Sequence, residues 1–308
     1  MTWSNRADNI GQRDWSDIIV AWSEINRNFD TATFLDGSLE DSVESALQPN
    51  RVSENSLIVL EFDSKTLLLS ELVFTQVKAN HAFLCALHRI DSGSASWGVT
   101  DAYHASMMLM RSILAALGVF ICRVHDRNIL VDVFPWMGRI DAQKKYKKAN
   151  KNWQKTIHVI ACKTKHIEQS DLFAIFQRLM NISTVPPQVW PEAVIQNIVR
   201  TEKAHFSSAR NKLIYGSRFW FHSDDLLGEC LSMDWTSTPQ RDYTTHSFLK
   251  ADDASELDSY CDTWVLYKLS KAVHEQVYKC FTDSVGVFDY IESRTEASGL
   301  STLNRQFL

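Results

Sequence analysis

"TDAYHASMMLMRSILAALG", residues 100–118, sets the fold class. Ala102, Ala105, Leu109, Ile113 and Ala116 recur at helical spacing, and Phe120 extends the same stripe. Thr100 and Asp101 are both good N-caps, so the pattern predicts a long helix opening there. Small residues along the stripe let a neighbouring helix approach closely. A stripe of this length needs other helices to cover it.

The chain supplies them on both sides. Trp15, Ile18, Ile19, Trp22, Ile25 and Phe29 predict a helix over 14–29. "DGSLEDSVESALQPNRVSENS" (36–56) is acidic and turn-rich and reads as a solvated connection. Leu67, Phe74, Val77, Leu84 and Leu87 mark a long helix from a cap at Ser64 to about Arg89, and "DSGSASWG" (91–98) reads as a loop. Further on, Leu172, Phe173, Ile175, Phe176, Leu179 and Met180 form another helix, which "STVPPQ" (183–188) stops. Pro191 suits a first helical position, and Val194, Ile195, Ile198, Val199, Phe206, Ala209 and Leu213 carry a helix on to Gly216. Asp253 and Glu256 resemble a capping box before a last helix through Tyr260, Trp264, Leu269, Val273, Val277 and Phe281.

One region breaks the helical rule. "NILVDVFPW" (128–136) and "KTIHVIACK" (155–163) are β-branched runs of strand length, joined by the basic "GRIDAQKKYKKANKNWQ" (138–154). The expectation is a mainly α protein: an antiparallel helical bundle with a small β-hairpin insertion. Residues 1–56 hold the N-terminal helix and acidic connection. The bundle occupies 57–292, with the insertion at about 126–165, and 293–308 is a polar tail. Residues 217–250 show no clear pattern.

Composition narrows the function classes. The 308-residue chain is 45% hydrophobic, enough for a sizeable core, and its net charge of −5 gives no global pull toward nucleic acid. The six cysteines form no C-x-x-C pair, and Cys162 with His166 lacks a second pair to complete a zinc site. The first residues contain no apolar signal segment, and no run approaches membrane-spanning length. A cytoplasmic protein without metal or cofactor is expected. No phosphate-binding loop, dinucleotide fingerprint, H-E-x-x-H or G-x-S-x-G occurs.

Two features carry chemistry. Lys144, Lys145, Lys147, Lys148, Lys151 and Lys155 crowd one short stretch, interleaved with Tyr146 and Trp153. Lysines that follow phosphates and aromatics that stack on bases suit single-stranded RNA; a solvated lysine-rich loop, or a dock for an acidic protein partner, are the competing readings. The second is "SARNKLIYGSRFW" (208–220), which places Arg210 and Asn211 shortly before Gly216. Arg210 is either a solvated residue near a helix C-terminus or an anion site, because guanidinium grips phosphate in a forked, always-charged geometry.

"ARNKLIYG" resembles the signature of HEPN domains, in which Arg and a polar residue, often Asn, precede a His late in a bundle helix; "TDAYHASMMLMRSILAALG" is similar to that fold's second helix. The resemblance spans residues 64–122 and 166–216, with 255–290 as an added helix. It implies a metal-independent ribonuclease site shared across a dimer, in a toxin–antitoxin or antiphage system, with Arg210 on the scissile phosphate and Asn211 as its polar neighbour. Tyr215 departs from the pattern. A phenol is ionised about one part in a thousand at pH 7, so it makes a poor general base beside imidazole. The resemblance therefore implies an RNA-binding protein with a degenerate nuclease site. The alternatives are an active enzyme using His205 or His222 with Glu202 orienting Arg210, or a helical scaffold subunit binding an acidic protein.

Overall fold

In the computed structural model the described residues are 8–28, 38–47, 57–62, 65–92, 95–124, 127–161, 167–201 and 256–281. The elements run β1 (Arg13–Asp14), α1 (Trp15–Arg27), α2 (Leu39–Ala46), β2 (Leu57–Glu61), α3 (Leu67–Asp91), α4 (Ala95–Ala116), β3 (Val119–Val124) and β4 (Arg127–Asp132). They continue with α5 (Ile140–Ala149), β5 (Thr156–Ala161), α6 (Gln169–Ile182), β6 (Ser183–Thr184), α7 (Glu192–Arg200) and α8 (Glu256–Lys279). The protein is mainly helical with a small antiparallel sheet.

Helices α3, α4 and α8 pack together, and α6 lies against α4. Phe83 of α3 stacks on Tyr267 of α8 with centroids 4.5 Å apart, and the small residues of α4 let polar side chains meet across the seam. Ser112 Oγ stands 3.1 Å from Ser270 Oγ and 3.3 Å from His274 Nε2, while His274 Nδ1 donates to the Ser270 carbonyl at 2.8 Å. Tyr278 donates to Gln76 Oε1 between α8 and α3. These buried groups are satisfied by one another, which a buried polar seam requires.

The sheet order is β2-β5-β4-β3, antiparallel throughout. The expected hairpin is therefore four strands: β4 and β5 are the two runs read from the sequence, and β3 and β2 flank them. Ile129, Leu130 and Val131 of β4 are all fully buried, so the central strand is covered on both faces.

The N-terminus is tied into the same core. Trp22 Nε1 donates to the Ala116 carbonyl at 2.9 Å. Arg13, fully buried, places Nη2 2.5 Å from Asp132 Oδ1 and donates to the carbonyls of Leu117 and Phe134.

Four local expectations are corrected. The acidic connection contains α2, capped by Ser38, with Leu39, Val43 and Leu47 buried at i, i+4 and i+8. The loop expected at 91–98 is largely helical, because α3 runs to Asp91 and α4 opens at Ala95; Thr100 and Asp101 thus lie inside α4, where Asp101 pairs with Arg89 at 2.5 Å. Phe120 belongs to β3, since Gly118 takes a φ of +79° and turns the chain out of α4. The helix expected to continue to Gly216 ends at Arg200, with Thr201 extended. Its last carbonyls are capped from outside: Gln177 Nε2 of α6 donates to Ile198 at 2.8 Å and Thr201 at 2.7 Å.

Candidate nucleic-acid interface

The basic run folds as α5 and a short 3-10 turn at Trp153–Lys155, lying beside the sheet. Two contacts fix its orientation. Gln143 Nε2 donates to Asp17 Oδ2 of α1 at 2.7 Å, and the Tyr146 hydroxyl lies 3.0 Å from both Thr156 Oγ1 and His158 Nε2 on β5. Thr156 donates to the Trp153 carbonyl at 2.8 Å, so its oxygen is left to accept from Tyr146. Tyr146 then accepts from the Nε2–H of a neutral His158, a tautomer assigned from this network. Burial lowers the His158 pKa, in keeping with a neutral ring, while Asp132 across the strand pair opposes the shift.

With Tyr146 facing the sheet, helical spacing divides the lysines. Lys144, Lys145 and Lys148 are exposed on α5, and Lys151 is exposed just beyond it. None of the four has a carboxylate at ion-pair distance among the described residues. Asp141 is the one acidic residue of α5 and sits in its first turn, where the helix dipole favours it. Lys147 behaves differently. Its Nζ stands 4.2 Å from the Trp153 ring centroid and 4.8 Å from that of Trp136, a paired cation–π contact.

Those indoles belong to an aromatic series that climbs from the core. Trp22 meets Phe134 edge-on at 5.2 Å, Phe134 meets Trp136 at 6.5 Å, and Trp136 meets Trp153 at 5.0 Å. Beside the series opens a cleft of about 590 Å³ between the end of α1, the start of α3 and the 153–155 turn. Lys65 lies in its wall and donates to the Val133 carbonyl at 3.0 Å and the Thr156 carbonyl at 3.2 Å. Burial pushes the Lys65 amine down to about 8, against the opposing pull of Asp132 and Glu24.

No known protein family, curated protein or solved structure matches this chain. The site is therefore read from its own chemistry.

The structure gathers the lysines, Tyr146 and Trp153 into one surface region. Glu202, His205, Arg210, Asn211, Tyr215 and His222 lie outside the described residues, as do Cys162 and His166. Among the described residues, no group of His, Cys, Asp and Glu side chains could hold a metal ion, and no helix is long and apolar enough to cross a membrane. Sequence reasoning passed over Lys65, Trp136 and the cleft. Trp136 stood at the end of a quoted strand run, and its company with Trp153 depends on β4 pairing with β5. Lys65 carried no local signal at all.

Proposed function

We propose that the chain is a HEPN-like RNA-binding protein of a defence or toxin–antitoxin type system, and that single-stranded RNA runs along the exposed face of α5. The observation that carries this reading is the set Lys144, Lys145, Lys148 and Lys151, exposed together without carboxylate partners among the described residues. Lysines held in that way keep their charge for phosphates, and releasing the counterions of the RNA supplies the affinity. The half-buried indole of Trp153 at the edge of the same surface, backed by Lys147 and the buried Trp136, favours nucleic acid over an acidic protein, because a base offers a π-face and a carboxylate does not. Support for the HEPN part comes from the motif around Arg210 and from long helices packed side by side. Tyr215 in the imidazole's position favours a binder over a nuclease.

The test is fluorescence anisotropy with a labelled single-stranded RNA in low salt. Lys144→Glu/Lys148→Glu on this solvated face should leave folding intact and weaken binding at least tenfold. Binding unchanged by the reversal would remove α5 from the interface. Tight binding of an acidic peptide with none of RNA would hand the surface to a protein partner.

A further inference from the structure

The solvent face of α3 has the spacing of a helix–helix seam. Phe74, Lys78, His81, Cys85 and His88 follow one another at intervals of four, three, four and three residues, and all five are exposed. The other side of the helix, with Val73, Gln76, Ala79, Phe83 and Ala86, is the side buried in the bundle. An alternation of fours and threes keeps one row of side chains in line when two helices cross at about 20°.

In the middle of that row His81 and Cys85 stand one turn apart, with Nε2 3.6 Å from Sγ. Cys85 is a free, exposed thiol. The separation is that of two neighbouring ligands on one metal ion. Zinc bonds of about 2.3 Å to sulfur and about 2.05 Å to nitrogen, meeting at the tetrahedral angle, hold the two donor atoms about 3.5 Å apart. Thiolate and imidazole are donors that zinc takes, and a spacing of one helical turn aims two ligands at one ion. The pair fills two of four positions. Among the described residues no group of three or more such side chains could hold a metal, so one chain cannot close the shell from them.

A second copy of the chain can. A two-fold axis between positions 81 and 85 lays α3 antiparallel on its counterpart, as the seam spacing allows. His81 then stands opposite the partner's Cys85, Cys85 opposite the partner's His81, and the four donors converge on the axis. Phe74, 49% exposed in the single chain, lies further along the same row and gains cover. We propose that α3 carries half of a zinc site, and that one zinc ion joins two copies of the chain through His81 and Cys85 of each. Each thiol gives up its proton to solvent on binding, which leaves a tetrahedral Cys2His2 shell with no open position for chemistry.

The experiment titrates the full, reduced chain with Zn2+ in a calorimeter and measures its mass by light scattering, with Co2+ as a spectroscopic probe. One zinc per two chains is expected, with a doubling of mass that EDTA reverses. Cobalt should give a thiolate charge-transfer band and the intense visible bands of tetrahedral coordination. His81→Ala and Cys85→Ser, both at exposed positions, should each weaken zinc binding at least tenfold and leave the mass unchanged by zinc. Cys85→His, which keeps a ligand, should retain the zinc-dependent doubling and lose the charge-transfer band. One zinc per single chain, a mass that ignores zinc, or binding unchanged by His81→Ala and Cys85→Ser overturns the proposal, whatever RNA does at α5.

Discussion

His274 is fully buried between α8 and α4, and the Ser270 carbonyl and Ser112 hydroxyl satisfy its two ring nitrogens. Burial disfavours the imidazolium and holds its pKa at about 4, below the ordinary 6.5. The unfolded chain therefore binds a proton between pH 6.5 and 4 that the folded chain refuses. This contribution to stability is complete above pH 6.5, falls as the pH drops toward 4, and levels off below. At about 1.4 kcal/mol per pKa unit, the loss across that window is roughly 3 kcal/mol. Urea denaturation at a series of pH values should show that fall, and His274→Gln should flatten it. An unchanged slope in the variant would assign the acid sensitivity to other groups. Arg13 illustrates the opposite solution to burial. Its charge is kept, and Asp132 and two carbonyls surround it, so its geometry locks β1 to the end of β4. Such a pair is costly to break, because either partner alone would be an uncompensated buried charge.

Elements begin and end here where single residues dictate it. Gly118 turns α4 into β3 with φ at +79°, and a Cβ built there would sit 2.2 Å from Cδ2 of buried Phe134. Gly118→Ala should therefore destabilise the protein by about 2–4 kcal/mol, from left-handed backbone strain and core overpacking together. Thermal or urea unfolding measures it, and a loss under about 0.5 kcal/mol would mean that the turn relaxes. Periodicity made α1, α3, α6 and α8 legible, because each carries its apolar stripe in its own sequence. The strands β4 and β5 were legible from their β-branched runs. The end of α7 was not, because its C-terminal carbonyls are capped by Gln177, a residue of another helix. Nor was the stop at Gly118: the stripe of α4 continues in phase to Phe120, and only the glycine marks the break. In α2 the signal was present at Leu39, Val43 and Leu47, but acidic neighbours outweighed a motif of two turns.

At the scale of the whole molecule, a chain of net charge −5 presents a local cationic face on α5. The lysine run was legible because charge density is a property of adjacent residues. The cleft was not, since Arg27, Phe62 with Lys65, Trp136 and Lys155 come from four separate stretches that meet only in the fold. The balance between bulk repulsion and local attraction fixes how RNA affinity responds to salt. Each lysine–phosphate contact on a single strand contributes a slope of about −0.7 in log K against log salt. If Lys144, Lys145, Lys148 and Lys151 each hold one phosphate, the slope should be about −2.8, and Lys148→Ala/Lys151→Ala should bring it to about −1.4. Base stacking on the indoles is nearly independent of salt, so Trp153→Leu should lower affinity by a similar factor at every salt concentration and leave the slope unchanged. A slope that ignores the lysine substitutions would place the phosphate contacts elsewhere on the chain, and the stretch around Arg210 would be the first to substitute.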